Sequence, residues 1–171
     1  MTSRVAPWLL AALVCGCGYR VVQGTALLGE EVRQVEIRMF ENRTAEPGLE
    51  WIIGEALMEE FMRRGRLQPV SPGESASSQI VLYGVVQQVY LRPSTFSSVA
   101  IAVEDSMEVT VDVSVRRVDT GELVWQRSGL VAREEFLSSP DPLVHETNKE
   151  MAMLRVATLI AESVHDDLFG Y

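Results

Sequence analysis

The chain has 171 residues, 47% of them hydrophobic, with 15 basic against 24 acidic side chains and a formal net charge of −9. That balance argues against nonspecific nucleic-acid binding, which needs clustered Lys and Arg to neutralise phosphates, and against electrostatic adhesion to anionic headgroups. Only two cysteines and two histidines are present, which leaves little material for disulfides or metal sites.

A leader opens the chain. Arg4 precedes the apolar run Val5 to Val14, which ends in Leu13-Val14-Cys15-Gly16-Cys17-Gly18-Tyr19. A weakly positive start, an apolar core and a small residue beside a cysteine are the parts of a bacterial lipoprotein signal. On that reading 1–16 is the signal peptide, Cys17 becomes the first mature residue and carries the lipid, and 17–31 is a lipidated tether. The competing reading is an ordinary signal peptide that leaves Cys17 a plain thiol. A Cys15–Cys17 metal pair is disfavoured, because no further ligand lies nearby and Cys15 sits inside the apolar core. Ten apolar residues rise about 15 Å as a helix, half a bilayer, too short to span it. A lipid anchor moves the chain out of the cytoplasm, and 32–171 then makes a single domain. A domain of this size buries about 70% of its unfolded surface and needs no disulfide.

From Val32, Val35, Ile37 and Met39 alternate with Glu36 and Arg38, which predicts a strand with one buried face. After Phe40-Glu41-Asn42-Arg43-Thr44, the turn residues Ala45-Glu46-Pro47-Gly48 precede a helix over Leu49 to Arg64. Its Ile52, Ile53, Ala56, Leu57 and Phe61 form a core stripe, and Glu55, Glu59, Glu60, Arg63 and Arg64 fall mainly on the other side. Gly65 suits the position just past the helix end. Pro69 to Ser78 reads as a loop.

Gln79 to Leu91 reads as a strand. Ile80, Leu82, Val86 and Tyr90 lie on one face and Val81, Tyr83, Val85 and Val89 on the other, which predicts cover on both sides. Arg92 to Ser98 reads as a polar break. The next strand is the clearest: Val109, Val111, Val113 and Val115 alternate with Glu108, Thr110, Asp112, Ser114 and Arg116, one face packed and one wet. Asp119-Thr120-Gly121-Glu122 is a hairpin turn, and Leu123 starts a return strand that reaches about Phe136. Asp141 caps a last helix with Pro142 at its first position; Val144, Met151, Leu154, Thr158, Ala161, Val164 and Leu168 mark its apolar stripe up to Gly170. The predicted order is β-α-β-β-β-α. Two helices on one face of a four-stranded mixed or antiparallel sheet is the α+β solution.

No catalytic residue, cofactor site or metal site emerges. His145-Glu146-Thr147-Asn148-Lys149 lacks the second His of a zinc motif, and both His145 and His165 read as solvated on the polar parts of a helix. Asp166 and Asp167 are adjacent on a helix, so their side chains diverge by about 100° and cannot act as an acid/base pair. The arginines are the more informative charges. If the strands are neighbours, Arg92, Arg116 and Arg127 converge at one sheet edge and hold a phosphate. The competing reading pairs each with a local acid such as Asp112 or Glu108.

The ordered set resembles the LptE family, the outer-membrane lipoproteins of lipopolysaccharide assembly. It comprises Cys17-Gly18-Tyr19, a strand running into Phe40-Glu41-Asn42-Arg43-Thr44 and Pro47-Gly48-Leu49-Glu50, a helix, a meander with Thr120-Gly121-Glu122-Leu123-Val124-Trp125, and a closing helix. The resemblance implies a non-enzymatic plug and assembly partner of the LptD-type β-barrel, anchored to the periplasmic side of the outer membrane and binding lipopolysaccharide. It also implies that Gly18 after the lipidated cysteine fits outer-membrane sorting. The chain departs from members that use basic residues for the lipid's phosphates, being acidic with no Lys on its strands. The alternative is another lipid-anchored periplasmic module, such as a cell-wall synthase activator.

Overall fold

Alternating valines lay down the middle of the sheet. The computed structural model describes residues 28–29, 31–70, 78–96 and 102–170; Cys17, the leader and most of the tether lie outside them, as does 71–77 of the expected loop. Among the described residues the elements are β1 (Gln34–Ile37), β2 (Glu41–Asn42), α1 (Leu49–Arg64), β3 (Gln68–Val70), β4 (Ile80–Phe96), β5 (Ala102–Arg117), β6 (Leu123–Leu137) and α2 (Pro142–Phe169). The strand order is β3-β1-β4-β5-β6, with β2 also pairing β4. β1 runs parallel to β3 and β4, whereas β4, β5 and β6 form an antiparallel meander. The α+β expectation holds. The strands exceed four because β2 and β3 are two and three residues long, too short to show a period. β3 contains Pro69, inside the expected loop; a residue without an N–H is tolerated there because β3 is a sheet edge.

Val109, Val111, Val113 and Val115 are fully buried in one cluster with Ile53, Leu57 and Phe61 of α1 and Val156, Ile160 and Val164 of α2. α1 begins and ends where its stripe and Gly65 predict, with Gly65 at φ 70° donating to Phe61 O. Glu60 departs from the expected solvated side. It is buried, with Arg63 and Arg64 both bonded to its carboxylate. Burial pushes Glu60 up, but these hydrogen bonds outweigh it and hold the group below the usual carboxylate range.

Two phase errors have identifiable causes. On β4 the register slips at Gln87, between Val86 opposite Val111 and Gln88 opposite Thr110. One extra residue flips the alternation, so Val89 packs against the core and Tyr90 is exposed. Tyr83 is exposed as well, whereas Val81 on the same side is buried beside Glu36, so the expected cover on both sides holds only at the start of β4. The expected break at Arg92 is absent: β4 pairs with β5 to its end. On α2, Asp141 caps through an acceptor bond from Leu143 N at 2.9 Å, and Gly170 ends the helix, both as predicted. The buried stripe is centred on Ala152, Met153, Val156, Ala157 and Ile160, while Val144, Met151, Leu154 and Thr158 are exposed. Of the predicted stripe only Ala161, Val164 and Leu168 are buried. His165 is not solvated but 1% exposed, packed between the rings of Phe61 and Phe169.

The link between β1 and β2 brings Phe40 over β4. A Cβ on Gly84 would lie 2.0 Å from Phe40 Cε1, so that ring requires glycine beneath it.

Candidate functional site

The helices leave the other face of the sheet uncovered by helix; it is assembled from the polar halves of alternating strands and is open except where Glu36 of β1 and Val81 of β4 are buried. Glu108 of β5 takes Arg133 of β6 and Arg92 of β4, the latter at 3.7 Å. Asp112 accepts from Gln87 Nε2 and from Gly129 N, each at 2.7 Å. Arg38 reaches Glu36 at 2.9 Å and Arg43 reaches Glu41 at 2.8 Å. Two guanidiniums lie over tyrosine rings, Arg38 on Tyr83 at 5.5 Å and Arg92 on Tyr90 at 5.7 Å. The hydrogen bond from Arg133 holds Glu108 below its usual range, and that from Arg43 does the same for Glu41. The face is therefore densely charged yet largely neutralised within itself.

The three arginines singled out in the sequence do not converge. Arg92 lies opposite Ser106 and Arg116 opposite Val81, so ten residues of β5 separate them, about 33 Å along the strand. Arg127 pairs with Val113, whose side chain is buried under the helices, and its own guanidinium meets Asp167 of α2 at 3.6 Å. Arg127 is thus on the helix side. Arg92 has Glu108, whereas among the described residues Arg116 bonds the Gly121 carbonyl alone, at 3.1 Å. Arg116 alone of the three has no carboxylate partner among the described residues.

Both sheet edges are blunted. Pro69 removes a donor from β3. On β6 the register shifts near Gly129, at φ 66°, and α2 caps two carbonyls: Asn148 Nδ2 donates to Leu137 O at 2.9 Å and Arg155 Nη2 to Glu135 O at 3.2 Å. These features disfavour strand addition and leave the faces as the contact surfaces.

Phe40 to Glu50 forms a hydrogen-bonded knot. Asn42 Nδ2 donates to Glu46 O at 2.8 Å and to Glu50 Oε2 at 2.7 Å, while its Oδ1 accepts from Thr44 N and Oγ1. Glu50 also accepts from Gly48 N at 3.1 Å; its own backbone N–H first, then Asn42 and least Gly48, hold its carboxyl below the usual range. Asn two residues before Thr is the signal that shows this turn in the sequence. The stretch is a structural joint that orients α1.

Among the described residues no cluster of three or more His, Cys, Asp or Glu is placed to hold a metal, and no helix is long and apolar enough to cross a membrane. No curated protein sequence matches the chain. Several solved structures share the fold. Rare lipoprotein B from Shewanella oneidensis is similar at 12% identity and TM-score 0.51, over 80% of this chain and 93% of its own. A minor lipoprotein from Acinetobacter baumannii gives 11% and 0.52, over 81% and 91%. A candidate lipoprotein from Caulobacter crescentus CB15 gives 16% and 0.55, over 77% and 89%. The model of the LptE family, described as lipopolysaccharide-assembly, matches residues 32–168. The chain belongs to the LptE family.

Proposed function

We propose that this protein is an outer-membrane lipoprotein, anchored through Cys17, that plugs and helps assemble an LptD-type β-barrel translocon and contacts lipopolysaccharide. Its role is non-catalytic. The observation that carries the reading is the self-neutralised, helix-free face. A barrel lumen is polar, and a face whose cations, Arg116 apart, are already paired can pack on such a wall while burying few lone charges. Blunted edges favour that contact over adding a strand to the barrel.

Lipopolysaccharide phosphates are met by single arginines rather than by a cluster. Arg116 is the leading contact, because no carboxylate among the described residues pairs with it; Arg92 and Arg127 hold Glu108 and Asp167. Arg116→Ala is expected to weaken lipopolysaccharide binding and leave the fold intact, and unchanged binding by the purified protein retires that contact.

Solubilising outer membranes in mild detergent tests the main reading. Co-purification with a large β-barrel is expected, and recovery as a free monomer overturns it. In-cell crosslinking that captures an inner-membrane enzyme instead favours a cell-wall synthase activator. Cys17→Ser is expected to release the protein into the soluble periplasmic fraction.

A further inference from the structure

α1 and α2 lie side by side and run the same way: Ile52 shares a groove with Met153, Arg63 reaches Glu162 at 3.8 Å and Arg64 reaches Asp166 at 2.8 Å. Between them the surface dips twice along one line. The first hollow has Ile52, Met153 and Leu154 between Glu46, Glu146 and Glu150; the second has Ala56 and Ala161 between Glu59 and Glu162. From Glu146 to Glu162 the line spans about 24 Å of helix, a little over four turns. Apolar side chains stand unburied on these helices: Trp51 is 60% exposed, Met62 61% and Leu154 49%.

The charge along this line differs from that on the open sheet face. Lys149 is taken by Glu46 at 3.2 Å and Glu146 at 2.9 Å, and Arg63 is spent on the buried Glu60. Glu59 and Glu150 are exposed and have no cationic partner among the described residues. An apolar floor between rims with surplus negative charge is complementary to a helix that is apolar on one side and cationic on the other.

We propose that the α1–α2 groove is a docking site for a basic amphipathic helix of a partner protein. A helix of about four turns lays its apolar stripe on Ile52, Met153 and Leu154 and sets Lys or Arg against Glu59 and Glu150. An anionic lipid surface and an acidic peptide are both rejected by the same rims. This assignment does not depend on the barrel reading, since it uses the opposite side of the sheet.

The test is fluorescence anisotropy with a labelled sixteen-residue Leu/Lys amphipathic peptide (~24 Å as a helix) and its Leu/Glu counterpart. The full chain is held in zwitterionic nanodiscs, with empty discs as baseline. The Leu/Lys peptide is expected to bind and the Leu/Glu peptide not. Glu59→Arg with Glu150→Arg is expected to weaken binding about tenfold, as two exposed attractions become repulsions. Glu122→Arg with Glu135→Arg makes the same change of net charge away from the groove and is expected to leave binding within about twofold. Circular dichroism confirms that both variants fold. Equal weakening by the two pairs, absence of Leu/Lys binding, or comparable Leu/Glu binding each overturns the proposal.

Discussion

The two faces of the sheet are made by the same strands and obey different physics. Under the helices, Val109, Val111, Val113 and Val115 are bare of charge and closed to water. On the open side, Glu108 and Asp112 are tied to Arg133, Arg92, Gln87 and Gly129. The inner face supplies stability through burial, and the outer face exchanges one set of polar partners for another at little net gain. The outer face is therefore free to be specialised for contact, and the inner one is not. Substitutions on the two sides should separate by several-fold in their effect on unfolding.

The largest effect is expected from Phe61→Ala. Its ring is fully buried against both the sheet and His165, and truncation should lower stability by about 3–5 kcal/mol in urea denaturation. A loss no larger than that of an outer-face variant would contradict the division of labour. Gly84→Ala comes next. Its new Cβ meets the Phe40 ring, and overpacking of that kind costs about 1–3 kcal/mol. Pairing it with Phe40→Ala should cost less than the sum of the two single changes, because the clash disappears with the ring. Simple additivity would show that Phe40 is not what excludes the side chain. Asn42→Ala should cost about 1–3 kcal/mol by leaving Glu46 O and the Thr44 donors unpaired. Little change in melting would mean that water replaces the amide.

Acidification probes the same interior. Burial holds His165 below its ordinary value, Arg64 lowers it further, and Asp166 and Glu60 offset this in part. A histidine whose folded pKa is depressed stabilises the protein above its unfolded value of about 6.5, and that contribution is lost as pH falls toward the folded value. Stability should therefore decline between pH 7.5 and 5.5. His165→Leu should flatten the decline in that window while retaining the loss below pH 4.5 that belongs to the depressed Glu60 and Glu50. A decline of equal slope in the variant would assign the effect to another group.

What the sequence revealed follows from how far each signal reaches. α1 was legible to its ends because its stripe, its late arginines and Gly65 all lie within 16 residues and agree. β5 was legible because its valines alternate without interruption. β4 was misphased past Gln87, at Val89 and Tyr90, because a bulge there leaves no mark in composition; only pairing with Thr110 and Val111 exposes it. α2 carries two apolar sets at helical spacing, Met151 and Leu154 beside Ala152, Met153 and Val156, and only packing against α1 and the sheet decides which is buried. The same limit governs the arginines. Residue type announced phosphate chemistry, but register put Arg92 and Arg116 about 33 Å apart and turned Arg127 to the other side. Buried His165 was missed because its neighbours Asp166 and Asp167 read as solvent-facing.

The smallest stability effect is expected at the outer face itself. Arg133→Ala removes one partner of Glu108, yet Arg133 is 61% exposed and Arg92 remains nearby. Stability should shift by less than about 0.5 kcal/mol. The charge pattern should change more than the fold does: Glu108 loses the hydrogen bond that chiefly lowers its pKa and should titrate at higher pH, nearer its unperturbed value, in carboxyl-resolved NMR. If a polar barrel wall is the partner, this variant should also weaken co-purification while the isolated domain melts as before, since the Glu108 carboxylate must then be buried with Arg92, at 3.7 Å, as its one cation among the described residues. Loss of melting temperature with unchanged capture is the opposite result, and it would make the outer face a structural device rather than a contact surface.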